Sequence, residues 1–249
     1  LCSLAPLESG VRYVSDANML LAAFLLVFVF FAGPTDFITA AMTNAVGDYF
    51  ANVIGMSLVM TPYTGEDWVE RWTIFYWGWW ISWSPFVGIF VARISKGCTA
   101  GELIMAGLLV PSLVTFFWMA TFGGTALHLE RFTDIGIARQ AVDDVAVSLH
   151  LLLSELPLGS ITTVFATLVI IIFFVTSSDS GSLVDDMVTS GGHPHPPVSQ
   201  RLFWAISEGA VAATLLIVGG LAAIQHAAIS MALPMTLLLI AACFGMIQA

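Results

Sequence analysis

The chain has 249 residues, 58% of them hydrophobic and only 10% charged, with a mean hydropathy of +0.93. A water-soluble domain carries about 25% charged residues, so this chain cannot cover a soluble globule and needs lipid as its solvent. The net charge of −10, from 17 acidic against 7 basic residues, excludes a nucleic-acid binder, which must displace counterions with basic groups.

Residues 1–16 are mixed and polar and read as a cytoplasmic loop. From Ala17 the run NMLLAAFLLVFVFFAG is apolar on all sides and continues past Pro34 to about Ala45, which predicts one long membrane helix kinked at the proline. Residues 46–66 alternate polar and bulky apolar side chains, the pattern of a helix lying on the membrane surface. Residues 17–66 therefore form one segment, a membrane helix plus an interfacial helix, and 67–249 another with five membrane helices.

Those five are predicted at Trp72–Arg93, Leu103–Leu127, from Leu158 to the polar string Thr176-Ser177-Ser178-Asp179-Ser180, Leu202–Ala223 and Ile229–Ile247. Each has roughly the 20 residues that cross about 30 Å of hydrocarbon. A polar connection spans 128–157 and an acidic, Gly- and Pro-rich loop spans 185–200. Arg12, Arg93, Lys96 and Arg201 fall on one side and Arg71, Arg131 and Arg139 on the other, which favours the first side as cytoplasmic. Leu1 is not a start methionine and the final ACFGMIQA stops within an apolar helix, so a piece of a longer protein is expected.

Five of the 8 tryptophans lie in the helix that starts at Trp72. At 100° per residue, Trp72, Trp79 and Trp83 fall within about 40° of each other, with Trp80 at the edge of that face and Trp77 elsewhere. An interfacial belt accounts for Trp72 and Trp77 but poorly for Trp83, about 16 Å deeper at the helical rise. Two readings stay open for the others: buried packing, or an aromatic cage whose indole faces attract a quaternary ammonium, a cation that donates no hydrogen bonds. Thr176 and Ser177 are read either as helix-end caps or as hard-oxygen ligands of an alkali cation. Asp179 is either functional or solvated at the interface, and Asp36 is assigned no role. His193 and His195 sit in a Pro-rich loop without ligand partners, so no metal site is expected. No catalytic constellation is present, and no enzyme is expected.

The stretch WTIFYWGWWISWSPFVGIFVARISKG closely resembles the signature of the betaine/choline/carnitine transporter (BCCT) family. FAGPT, GDYFANVIGMS, LLVPS, FGGTA and FFVTSSDS agree with it in the same order, and the resemblance runs from about Val14 to the end. It implies the C-terminal half of an all-α, polytopic membrane helix bundle, a secondary transporter with an inverted repeat of five plus five helices. It implies a quaternary-ammonium solute such as glycine betaine, choline or carnitine, taken up for osmoprotection by symport or antiport across a bacterial inner membrane. Trp79, Trp80 and Trp83 match the family positions that hold the trimethylammonium group, and Trp72 and Trp77 match the outer approach. Phe173, Thr176 and Ser177 match residues of a sodium site, and Phe86 a position near a proposed sodium site; sodium would be the coupling ion, with no other cofactor. The resemblance implies N-terminal partner helices missing from this chain, so that it would not transport alone, and a homotrimer. Arg71, Cys98 and Gly101 depart from the family's usual residues. The competing expectation is a non-transporting membrane subunit or degenerate remnant whose tryptophans are structural.

Overall fold

The computed structural model describes residues 9–60, 63, 68–95, 97–133, 135–192 and 197–248. The regular structure among them is helical. That is what lipid demands, because a helix satisfies its own backbone N–H and C=O groups where no water can. Four stretches are long and apolar enough to cross a membrane: Tyr13–Ala32, Ala100–Phe132, Gly159–Thr189 and Leu202–Gln248, the last containing two helices. The chain is an all-α, multi-pass membrane protein. The predicted span at Trp72–Arg93 is helical as well.

The helices group into two units that interleave along the chain. One joins Pro6–Ser57 to Gly97–Thr176, and the other joins Leu58–Lys96 to Ser177–Ala249.

In the first unit, α1 is Ser9–Ala32 and α2 is Thr35–Ser57. The predicted kinked helix is thus two helices broken at Gly33-Pro34, and α1 starts at Ser9 within the segment expected to be a loop. Pro34 has no N–H to continue α1. Thr35 steps in by donating its hydroxyl to the Phe30 carbonyl at 2.7 Å, and Asp36 lies in the first turn of α2, where the helix dipole favours an acid. The predicted surface helix is the second half of α2 rather than a separate element.

Helix α4, Ala100–Phe132, opens with a Thr99–Glu102 capping box. Its 33 residues reach about 50 Å, so both ends pass beyond the hydrocarbon. Helix α4 packs on α1 and α2, and Gly124 lets α2 approach until a Cβ there would stand 3.5 Å from Ile38. The predicted polar connection holds two short helices, α5 at Ile137–Asp143 and α6 at Ser148–Ser154. Leu25, Leu26 and Val29 of α1, Phe122 of α4 and Leu152 and Leu153 of α6 meet in the core, together with Leu156 and Ala166.

Helix α7, Gly159–Thr189, is continuous through the boundary of the units. It does not end at the 176–180 string, as the polarity there had suggested. The Thr176 hydroxyl is satisfied inside the helix, donating to the Ile172 carbonyl at 2.9 Å and the Phe173 carbonyl at 3.1 Å.

In the second unit, α3 (Phe75–Ile94) follows a π-helical turn at Val69–Ile74 and packs on α8 (Val198–Ser230) and α9 (Ala232–Gln248). Gly78 makes the close approach: a Cβ there would lie 3.3 Å from Ile229. Ser82 donates to its own Gly78 carbonyl and across to the Ala228 carbonyl, both at 2.8 Å. Helix α8 breaks at Gly219-Gly220, where Gly220 (φ 63°, ψ −158°) takes a conformation open essentially to glycine alone. His193 and His195 lie outside the described residues.

Candidate functional site

The aromatic row on α3 is built from one-turn spacings. Residues four apart on a helix are neighbours, and rings at such spacing can stack along the axis. Phe75 stacks on Trp79, with centroids 6.3 Å apart and planes 12° from parallel, and Trp79 stacks on Trp83 at 6.0 Å and 10°. Trp80 leans on both, 5.7 Å from Trp79 at 50° and 6.0 Å from Trp83 at 59°.

Trp79, Trp80 and Trp83 thus mark a nearly equilateral triangle. A point equidistant from centroids so placed lies about 3.4 Å from each, so the three rings border one common point. The rings are not sealed by neighbours: Trp79 is 37% exposed, Trp83 43% and Trp80 52%. The opposite face of α3 behaves differently. There Gly78 and Ser82 meet α8 and α9, and Ile81 shares an apolar hollow with Thr236, Leu239, Ile240, Cys243, Phe244 and Ile247.

Trp72 lies in the π-helical turn, stacks on Tyr76, four residues on, at 6.0 Å and 14°, and pairs with Trp68 at 5.5 Å. Tyr76 joins this second row to Trp79, edge-on at 6.2 Å. Trp77 enters none of these ring contacts and is 68% exposed. Sequence reasoning missed Trp68, Phe75 and Tyr76. The signal for them was present as aromatic residues at i±4 from the chosen tryptophans.

Pro85 removes one backbone donor inside α3. The carbonyl it orphans, that of Ile81, accepts from the Ser84 hydroxyl at 3.1 Å, so the helix continues past the proline to Phe86. The Phe86 ring then approaches α7 at Gly181, where a Cβ would lie 3.7 Å from it. Phe86 and Ser177 belong to one unit and Phe173 and Thr176 to the other. Ser177 is exposed, Thr176 is half-buried, and Phe173 is 42% exposed. Asp179 is half-buried on the same helix. The Thr176 hydroxyl proton is held by the helix backbone, at the Ile172 and Phe173 carbonyls.

Among the described residues no group of three or more His, Cys, Asp or Glu side chains is placed to hold a metal ion.

Compared with known proteins, residues 1–249 match the profile of the betaine/carnitine/choline family of transporters. An uncharacterized transporter of Mycobacterium tuberculosis (strain ATCC 25618 / H37Rv) is 46% identical over 245 residues, covering 97% of this chain and 41% of that protein. A glycine betaine/proline/choline transporter of Vibrio parahaemolyticus is 41% identical over 247 residues, covering 98% of this chain and 44% of that protein. A glycine betaine transporter of Bacillus subtilis (strain 168) is 41% identical over 236 residues, covering 94% and 46%. The chain therefore spans less than half the length of these relatives.

Proposed function

The chain belongs to the betaine/carnitine/choline (BCCT) transporter family, and from that premise we propose that it is the C-terminal half of a secondary transporter for quaternary-ammonium solutes such as glycine betaine, choline or carnitine. The observation that carries the reading is the triangle of Trp79, Trp80 and Trp83, three electron-rich rings with neighbouring centroids 5.7–6.0 Å apart, whose faces attract a cation. Water hydrates a trimethylammonium poorly, since it has no N–H to donate, so indole faces compete well for it. The Trp68, Trp72 and Tyr76 row continues the aromatic surface along the helix and serves as an approach path.

Alternating access in such a protein works by rocking one group of helices about a site in mid-membrane. Phe173, Thr176 and Ser177 contribute one side of a sodium site on α7, and Phe86 stands near a proposed sodium site. Sodium coupling then holds α7 against a helix upstream of this chain. The inverted repeat, the homotrimer and the bacterial inner membrane belong to the same reading. One relative's name includes proline, whose ammonium carries N–H donors. A site of that breadth needs hydrogen-bond acceptors beside the rings, so substrate choice among these solutes is set outside the tryptophan triangle.

The test uses the chain joined to upstream helices of the kind its relatives carry. Intrinsic tryptophan fluorescence is followed on adding glycine betaine, choline, carnitine or proline, with and without sodium. A saturable, sodium-dependent response to a trimethylammonium solute, abolished in Trp80→Leu and Trp83→Leu, supports the proposal. Silence toward all four leaves the tryptophans as packing in a non-transporting membrane subunit.

A further inference from the structure

One polar side chain of α1 is buried against α7. Asn18 is 1% exposed and begins a stripe that continues through Ala22 at 6%, Leu25 at 2% and Val29 at 0%. Spacings of four, three and four residues keep these on one helical face. Ala166 and Val169 of α7 are buried at 0% and 4%, and Phe24 of α1 meets Phe165 of α7 edge-on with centroids 5.6 Å apart.

The donors and acceptors around the Asn18 amide leave it one sensible orientation. Its nitrogen donates to the Val169 carbonyl and its oxygen accepts from the Phe173 amide N–H, each at 3.3 Å. Val169 and Phe173 are themselves an i, i+4 pair, so the amide lies across a single rung of the α7 ladder. Apolar stripes alone specify register weakly, because alanine, valine and leucine contacts survive a slide or a rotation. A two-point amide contact does not survive either, which is how a single buried asparagine selects register in helix pairs.

We infer that Asn18 is a positioning residue that locks the axial and rotational register of α7 and so sets where Phe173 and Thr176 stand. This rests on the reading above that those residues serve the coupling cation. Thr176 lies three residues beyond Phe173, and its hydroxyl is tied to the Ile172 and Phe173 carbonyls, so a rotation of the Phe173 turn carries the hydroxyl with it. The position was visible in the sequence only as one amide in the run NMLLAAFLLVFVFF.

The experiment again uses the chain with its upstream helices, reconstituted in lipid. Asn18→Leu keeps the branched shape of the side chain and removes both hydrogen bonds, while the Phe173 N–H can still bond within its helix, so the variant is expected to fold. Asn18→Thr is the second variant, small enough for the seam and too short to span the rung. Sodium activation of betaine uptake is measured beside hydrogen–deuterium exchange of the α7 amides, with Thr176→Val as the reference.

Both Asn18 variants are expected to raise the half-saturating sodium concentration at least tenfold and to speed exchange around Val169–Phe173. Betaine affinity at saturating sodium should move less than twofold. Unchanged sodium dependence overturns the inference, whether or not α7 exchange changes. If Thr176→Val leaves sodium activation untouched while the Asn18 variants weaken it, the sodium-site reading fails and the positioning role of Asn18 stands.

Discussion

The indole planes of Trp79 and Trp83 lie 10° from parallel with their centroids 6.0 Å apart. Two rings stacked this way hold each other's orientation, so a cation meeting them finds a prepared surface rather than two mobile side chains. Preorganisation of that kind lowers the ordering cost of binding.

Replacing either ring should therefore cost more than its own cation–π contact. Trp83→Leu is expected to weaken quaternary-ammonium affinity by about 2 kcal/mol, roughly thirtyfold. Trp83→Phe should lose less, since a smaller ring retains a weaker face. Trp77→Leu, remote from the stacked pair, should change affinity less than threefold. Equilibrium binding of radiolabelled betaine measures all three, and an equal effect for Trp77 and Trp83 contradicts the geometry.

Sodium should depend on the Thr176 oxygen and not on the shape of its side chain. Thr176→Val is isosteric and deletes only the hydroxyl, whose proton bonds stay within one helix turn. Thermal stability should move by no more than about 0.5–1.5 kcal/mol, the net worth of one intramolecular hydrogen bond. Sodium activation should weaken at least tenfold, and Thr176→Ser should restore most of it. Uptake against sodium concentration reads the outcome.

Helix α3 is docked on its neighbours by Gly78 and Ser82. Ser82→Ala removes the bond to the Ala228 carbonyl and should cost about 0.6–1.7 kcal/mol, the range for hydrogen bonds between membrane helices. Gly78→Leu must push Ile229 away, since even a Cβ stands at 3.3 Å, and should destabilise by about 1–3 kcal/mol. Detergent-solubilised thermal unfolding should place the leucine variant lowest.

The break between α1 and α2 should be equally intolerant. A Cβ on Gly33 would sit 2.7 Å from the Val29 carbonyl oxygen and 3.0 Å from the Thr125 hydroxyl, and the first of these is backbone that cannot rotate away. Gly33→Ala is expected to lower stability by about 1–3 kcal/mol. Gly123→Ala, whose Cβ meets nothing within 4 Å, should be close to neutral. The same unfolding assay separates them, and equal behaviour of the two contradicts the packing.

The amino-acid sequence alone determined the solvent, the helical class and the aromatic face, because each depends only on composition or local period. Apolar runs of about 20 residues dictate helices in lipid whatever surrounds them, and four-residue spacing stacks rings wherever the helix lies. Tertiary structure decided the rest. Polarity at Thr176–Ser180 suggested a helix end, yet α7 runs to Thr189, and the Thr176 hydroxyl returns to the helix backbone. Asn18 acquired its partners from a helix about 150 residues away, a distance no periodicity spans. A side chain's own period says which face it occupies; only packing says what stands opposite.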